Sequence, residues 1–225
     1  MFYLGGMGPA RSAPTDPPGA APPRRRYASP LRAKQTEETR ANLLRVATEL
    51  FTTRGWVNTG MRDVARDAGV AVETLYSHYP SKRKLLDAVV DHAVVGDDLP
   101  IAVAERPEFL AIGRGRRADR IDAAAALVAA IHERTGPFAK LIREAAATDE
   151  EFAELLRATR ERQRADVEAG LELILRRRPT DHERDGAWAI VSPEVHLLLV
   201  EGSGWSVDQY RSWLSETLER VLPRS

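Results

Sequence analysis

The 225-residue chain contains no cysteine and no long apolar run. Without cysteine it forms neither a disulfide nor a thiolate-ligated zinc site. No stretch approaches the roughly 20 apolar residues of a membrane-spanning helix, so we expect no membrane partner. Formal net charge is zero, and hydrophobic residues make up 43% of the chain. These features predict a globular cytoplasmic protein with one or two folded domains.

Catalytic and cofactor motifs are also missing. The chain has no G-x-S-x-G nucleophile elbow, no H-E-x-x-H zinc motif, no P-loop and no dinucleotide fingerprint. Its five histidines include no pair four residues apart. We therefore expect no catalytic residue, no metal and no cofactor. Two rival classes stay open at this point, an enzyme without these motifs and a helical scaffold that binds another protein.

Apolar residues recur at helical spacing, and no alternating strand pattern occurs. The sequence therefore predicts an all-α fold. Capping boxes at Thr180-x-x-Glu183 and Ser206-x-x-Gln209, and a Ser-Pro pair at Ser192-Pro193, mark helix starts in the C-terminal half. Helices are predicted at 36–54, 61–68, 71–78, 81–95, 101–105, 119–134, 137–147, 149–178, 180–201 with a break at 192–193, and 206–222.

Residues 55–86 predict two short helices joined by a tight turn. Apolar residues share one face of the first helix, and Gly69 can adopt the positive φ that ends it. Pro80 ends the second helix, because a proline disfavours helical geometry in the residue before it. This arrangement matches a helix-turn-helix, whose second helix enters the DNA major groove.

The same stretch carries a longer pattern of residues in order. These are Phe51, Gly55-Trp56, Thr59, Val64-Ala65, Ala68-Gly69-Val70, Thr74-Leu75-Tyr76, His78-Tyr79, Ser81-Lys82 and Leu85-Leu86. In this pattern the chain resembles the N-terminal DNA-binding domain of the TetR/AcrR family of bacterial transcriptional repressors. Gly60, Ala71 and Glu73 depart from the usual residues of that family, which leaves the operator sequence open.

The resemblance implies a homodimer that binds a pseudo-palindromic operator in double-stranded DNA. It further implies a repressor that a small-molecule effector releases from the operator, with activation kept as the alternative. The implied domains are a helix-turn-helix domain at 35–82 and a larger helical ligand-binding and dimerisation domain at 83–225, with a linking helix at 83–95. The protein would act in the cytoplasm, associated with the nucleoid.

Candidate DNA contacts follow from placing the second helix in the groove. Val72, Glu73, Ser77 and His78 would face base edges or nearby phosphates. Thr74, Tyr76 and Lys82 would contact phosphates, which position the protein without specifying sequence. Arg62 would reach the groove edge. The alternative for each is a solvated side chain.

Two further sets of residues are predicted for the C-terminal domain. Candidate effector contacts are Leu127, Ile131, His132, Phe138, Ile142 and Phe152. Candidate dimer contacts, chosen because large apolar and aromatic side chains are enriched at interfaces, are Trp188, Val195, Leu198, Trp205, Tyr210, Trp213 and Leu214. The alternative for both sets is ordinary intrachain core.

Residues 1–34 have a different composition from the rest of the chain. They hold half of the 14 prolines, with six basic residues and one acidic residue. Such a segment buries too little apolar surface to offset the entropy of ordering, which predicts a disordered arm. It lacks the apolar region of a signal peptide. Two interpretations stay open, a basic arm that contacts DNA and a passive solvated tail.

Overall fold

The computed structural model describes residues 30–96 and 103–223 and is all-α. No strand occurs in these two ranges. The helices are α1 Pro30–Arg54, α2 Met61–Asp67, α3 Val72–His78, α4 Lys82–Val95, α5 Pro107–Ala111, α6 Arg117–Ala145, α7 Glu150–Leu175, α8 Asp181–Ile190, α9 Pro193–Leu197 and α10 Val207–Val221, with a short 3-10 turn at Val103–Glu105 and a π-turn at Leu198–Gly202. In the described part of the chain, none of these helices has both the length and the apolar character needed to cross a bilayer.

A first core joins the N-terminal helices to the rest of the molecule. Leu43 of α1, Leu75 of α3 and Leu85 of α4 are fully buried in it. The same cluster continues into Phe138 of α6 and Phe152 of α7. The N-terminal helices are therefore packed directly against the two longest helices of the C-terminal half.

A second core lies between α5, α6, α7, α8 and α10. Ile121 of α6, Ile174 of α7 and Leu214 of α10 are buried at its centre. Between this core and the first, α6 runs through the molecule and contacts α4, α7, α9 and α10. α6 therefore contributes buried residues to both cores and connects them.

The predicted caps are confirmed. Glu183 N–H donates to Thr180 Oγ1 at 3.3 Å, and Thr180 N–H donates to Glu183 Oε2 at 2.8 Å. Ser206 and Gln209 form the same reciprocal pair. Helix α9 begins at Pro193 after the N-cap Ser192, so the predicted break there is also confirmed. Such local signals predict helix starts because each capping side chain bonds backbone groups that a helix end leaves without partners.

The predicted helix break at Gly136-Pro137 is wrong. α6 runs unbroken from Arg117 to Ala145, with Pro137 inside it and exposed. Gly136 is buried, and a Cβ there would lie 3.4 Å from His196 Cε1, so glycine allows α6 and α9 to approach closely. Burial of Phe138 beyond the proline offsets the hydrogen bond that Pro137 cannot donate.

Other helix limits also differ from the prediction. α1 begins at Pro30 and not at residue 36, with proline at the first helical position. α7 ends at Leu175, because Arg176 adopts φ 60°. The short helix predicted at 101–105 is a 3-10 turn at Val103–Glu105, and residues 101–102 lie outside the described part. Of the predicted arm, residues 1–29 lie outside it as well.

Candidate nucleic-acid interface and ligand cavity

The turn between α2 and α3 fixes how the two helices meet. Gly69 adopts φ 69°, as predicted, and its N–H donates to Arg66 O at 3.1 Å. Val70 N–H reaches back to Ala65 O at 3.0 Å, which completes a Schellman motif. Asn42 Nδ2 of α1 donates to Ala68 O at 2.8 Å, so a side chain of α1 also holds the turn in place.

α3 is anchored on one face and exposed on the other. Leu75 is fully buried and attaches the helix to the first core. Glu73, Tyr76 and Ser77 are exposed, and Ser77 Oγ donates to Thr74 O at 2.7 Å. A buried anchor beneath an exposed polar face is the arrangement that a groove-reading helix requires.

Two other predicted contacts of α3, Thr74 and His78, are partly buried. Val72 is also partly buried and packs against the first core, so only part of its side chain can meet a base. On α2, Arg62 is exposed and makes no ion pair with the residues that the structure describes. Its neighbour Arg66 is paired with two aspartates, which leaves Arg62 as the available cation of this helix within the described residues.

Lys82 begins α4, and its ammonium is directed at Trp56. Its Nζ donates to Trp56 O and lies 4.1 Å from the centre of the indole ring. Burial lowers the pKa of Lys82. A phosphate contact by Lys82 would therefore compete with these two interactions.

Trp56 belongs to an aromatic junction between the two halves of the chain. Its ring lies 5.7 Å from that of Phe51 and meets Phe152 of α7 edge-on at 5.0 Å. The Arg83 guanidinium lies 5.0 Å from the Phe152 ring, and its Nη1 donates to Glu151 O at 3.0 Å. The start of α7 is thus fastened to the start of α4.

A cavity of about 180 Å³ lies between α4, α6, α7 and α8. Its wall is mostly apolar and includes Val90 and Val94 of α4, Phe109 of α5 and Leu218 of α10. Val90 and Val94 belong to α4, the next helix after α3. The cavity therefore borders the helix that follows the candidate groove-reading helix.

A few polar side chains interrupt the apolar wall. Thr159, Gln163 and Asp166 contribute from α7, and Trp188 contributes from α8. Among the described residues, Thr159 Oγ1 and Trp188 Nε1 are buried without a hydrogen-bond partner. Burial raises the pKa of Asp166, and the nearby charge of Arg162 opposes that shift. Unpaired polar atoms in an apolar wall can fix the orientation of a bound molecule.

His132, which lines the cavity, packs against a second buried histidine, His196, and against the buried Tyr210. His132 Nδ1 is 3.1 Å from the Tyr210 hydroxyl, and the His196 ring lies 5.4 Å from the His132 ring. Burial and the neighbouring His196 lower the pKa of His132 to about 3, while burial raises the pKa of Tyr210. The Tyr210 hydroxyl and the neutral His132 imidazole therefore share a hydrogen bond. Within the described residues both ring nitrogens of His196 lack partners.

α6 also holds the C-terminal end of α4. Arg134 Nε donates to Ala93 O at 2.8 Å, and its Nη2 donates to Val94 O at 3.1 Å. Gly96 ends α4 with φ 81° beside the same guanidinium. Arg134 lies less than one turn from the cavity residue Ile131. Movement of α6 at the cavity would therefore move the end of α4.

Comparison with known proteins identifies the N-terminal part. Residues 43–89 match the sequence model of the family described as "Bacterial regulatory proteins, tetR family". The N-terminal part of the chain is therefore similar to TetR-family regulators. This family consists of transcriptional regulators and not of enzymes. The match covers α2, α3, the C-terminal half of α1 and the first part of α4, the elements built around the turn at Gly69.

Individual relatives described as HTH-type transcriptional regulators show how far the likeness extends. The regulator LuxR of Vibrio harveyi is 37% identical over 66 residues, 29% of each chain. The activator FasR of Mycolicibacterium smegmatis is 41% identical over 58 residues, 26% of each chain. The chain thus matches less than a third of the length of these curated relatives.

Solved structures extend the likeness in fold to the helical body. A TetR-family regulator from Rhodococcus sp. is 19% identical with a TM-score of 0.64, over 83% of this chain and all of that one. A transcriptional regulator from Saccharomonospora viridis in complex with choline is 17% identical with a TM-score of 0.62, over 84% of this chain and all of that one. At these identities the likeness shows the fold alone.

The structure brings five of the six predicted effector residues to one TetR-fold cavity. Leu127, Ile131, His132, Phe138 and Ile142 all line it. The sixth prediction is corrected, because Phe152 packs on Trp56 in the aromatic junction and does not line the cavity.

Two of the predicted dimer contacts are corrected as well. Tyr210 and Leu214 are fully buried within the chain and offer no surface to a second copy. Trp188 lines the cavity. Of the others, Leu198 is exposed, while Val195, Trp205 and Trp213 are partly exposed.

Sequence reasoning missed the polar side of the cavity. Thr159, Gln163 and Asp166 recur at positions i, i+4 and i+7 of α7, which places them on one helical face. That spacing was a detectable signal, because a polar group interrupts the otherwise apolar face that continues through Val167 and Leu171.

Proposed function

We propose that this chain is a DNA-binding transcriptional repressor whose operator affinity falls when a small molecule occupies the cavity. One observation carries the proposal. Helix α4 contributes Val90 and Val94 to the cavity wall, and it begins directly after the exposed groove-reading helix α3. Ligand binding that displaces α4 would therefore change where α3 is presented to DNA.

The proposed DNA contacts keep the roles inferred from the sequence. Glu73 and Ser77 would face bases, Tyr76 and Thr74 would contact phosphates, and Arg62 would approach the groove edge. Lys82 would join them by exchanging its contact with Trp56 for a phosphate. The proposed division of the chain places the DNA-binding domain at 35–82 and the regulatory domain at 83–225.

The proposed DNA-bound form is a homodimer. Three side chains support it, since Leu198 is 67% exposed and the partly exposed Trp205 and Trp213 have their rings 6.2 Å apart. A two-fold dimer would place its two α3 helices on half-sites roughly 34–36 Å apart, or a multiple of that distance. Light scattering should give twice the 24.9 kDa chain mass, and a stable monomer would contradict the dimer.

The direct experiment is selection of bound duplexes from a random DNA pool, followed by footprinting. The proposal expects a recovered site with two inverted half-sites on one face of the duplex. A reporter gene behind that site then gives the direction of control, which matters because the relative FasR is named an activator. Failure to enrich any sequence would contradict a DNA-binding function.

The segment at 1–34 is proposed to strengthen DNA binding through its basic residues, in the cytoplasm where the DNA lies. Its deletion should weaken binding at low salt and reduce the slope of affinity against salt concentration, because fewer counterions are released. An unchanged slope would show that the segment is a passive tail.

A further inference from the structure

We propose that the cavity takes an organic cation, an apolar body carrying one amine or quaternary ammonium group, with Asp166 facing the positive charge. This inference rests on the proposed function, since it names the chemical class of the effector. It does not depend on which genes are controlled or on the direction of control.

The charge of the cavity wall supports a cation. Among the described residues that line it, Asp166 is the one that carries a formal charge at neutral pH, and no lysine or arginine lines it. His132 is neutral there, because burial and His196 lower its pKa to about 3. An anionic ligand would place a second negative charge near Asp166 in a poorly solvated wall, and like charges at such a site repel.

The lack of a partner for Asp166 among the described residues supports the same conclusion. In the described ranges its carboxylate makes no hydrogen bond or ion pair. Arg162, one turn earlier on α7, is the cation whose charge acts on it, but Arg162 is exposed and lies 3.8 Å from Asp91. A carboxylate at an apolar wall is costly unless it is paired, so a bound cation would relieve that cost.

The distribution of polar groups predicts how the molecule lies. Thr159 and Asp166 are seven residues apart on α7, so the polar stretch covers roughly 10 Å of the wall. From Gly170 to Ile174 the same face is apolar, and a Cβ at Gly170 would lie 4.0 Å from Phe109 Cζ. The charged group would lie beside Asp166, and the apolar body would extend toward Ile174.

Aromatic side chains in the cavity wall suit a cation as well. Trp188 and Phe138 line the cavity together with His132. The faces of tryptophan and phenylalanine attract an ammonium group, more strongly where water is excluded. The unpartnered Thr159 hydroxyl and Trp188 N–H could in addition bind an oxygen on the ligand.

The test uses three molecules with one body and different charges, 4-phenylbutylamine, 4-phenylbutanol and 4-phenylbutanoate. Calorimetric titration of the full chain should show the amine binding at least about tenfold more tightly than the other two, a difference of roughly 1.4 kcal/mol. Equal or tighter binding of the alcohol or the carboxylate would overturn the inference. Failure of the amine to bind more tightly than about 1 mM would also overturn it.

Two matched variants test whether Asp166 causes the preference for the amine. Asp166→Asn keeps the shape of the side chain and should reduce the preference for the amine to within about twofold. Glu161→Gln removes the same charge from an exposed position of α7 that does not line the cavity, so it should leave the preference unchanged. A preference retained in Asp166→Asn, or lost in Glu161→Gln, would overturn the assignment. Thermal unfolding checks that both variants fold.

An operator titration in the same samples separates this inference from the proposed function. If the amine binds selectively but leaves operator affinity unchanged, the cation site stands and the ligand-released repressor does not. If a neutral or anionic probe alone releases the operator, the proposed function stands and the cation inference fails.

Discussion

Acidification should destabilise this protein through the buried His132. In the unfolded chain the imidazole has its ordinary pKa of 6.5, whereas burial and His196 lower the pKa in the folded chain to about 3. Between these values the unfolded state binds a proton that the folded state does not bind. The stability associated with neutral His132 is therefore fully present above pH 6.5 and is lost progressively as pH falls toward 3.

The expected magnitude follows from that difference. Each pH unit below 6.5 costs about 1.4 kcal/mol per group, so a change from pH 7.5 to pH 5 removes about 2 kcal/mol through His132 alone. Burial also lowers the pKa of His196, whose loss of stability has the same sign. The change through His132 is a sizeable part of the roughly 5–15 kcal/mol that stabilises a typical domain.

Urea unfolding followed by circular dichroism measures this change, at one fixed protein concentration because a dimer is stabilised by mass action. His132→Gln stays neutral and can still bind the Tyr210 hydroxyl, so it should lose about 2 kcal/mol less than the wild type between pH 7.5 and pH 5. The exposed His182→Gln should behave like the wild type. Equal losses in wild type and His132→Gln would refute the reasoning.

Three further predictions concern coupling, recognition and packing. Arg134→Met keeps the length of the side chain but removes both bonds to the end of α4, each partly exposed. It should reduce the effect of cavity ligand on operator affinity by about 1 kcal/mol, roughly fivefold. An unchanged effect in anisotropy titrations would show that the contact of Arg134 with α4 does not couple the cavity to the operator. Glu73→Ala should change which bases are preferred in a DNA selection, whereas Tyr76→Phe should weaken all duplexes alike; the reverse pattern would contradict their assigned roles. Phe152→Ala should cost about 3 kcal/mol in urea unfolding, because the ring is 2% exposed and joins both halves of the chain. A loss below about 1 kcal/mol would show that the junction is not a major contact.

Local signals allowed much of the fold to be predicted. The turn at Gly69, the caps at Thr180 and Ser206 and the restart at Pro193 depend on backbone groups within a few residues, which the sequence displays directly. The unbroken α6 could not be predicted in this way. The close approach of His196 to Gly136 and the burial of Phe138 depend on residues far apart in the sequence.

The candidate sites show the same difference between local signals and contacts made by residues far apart in the sequence. Apolar periodicity predicted Leu127, Ile131 and three other cavity residues, because one helix face supplies them. Periodicity could not distinguish a cavity wall from a solid core, so Phe152 and Tyr210 were assigned to surfaces that they do not reach. That distinction is set by how several helices meet, which no single helix encodes.

Occupancy of the cavity should change operator affinity, and this coupling can be measured directly. The most direct measurement is an anisotropy titration of the selected operator with the full chain, alone and with 4-phenylbutylamine at a concentration shown by calorimetry to saturate the cavity. Operator affinity should fall by about 5- to 150-fold, the usual range of coupling between two sites. Unchanged affinity, with the cavity demonstrably filled, would contradict this coupling.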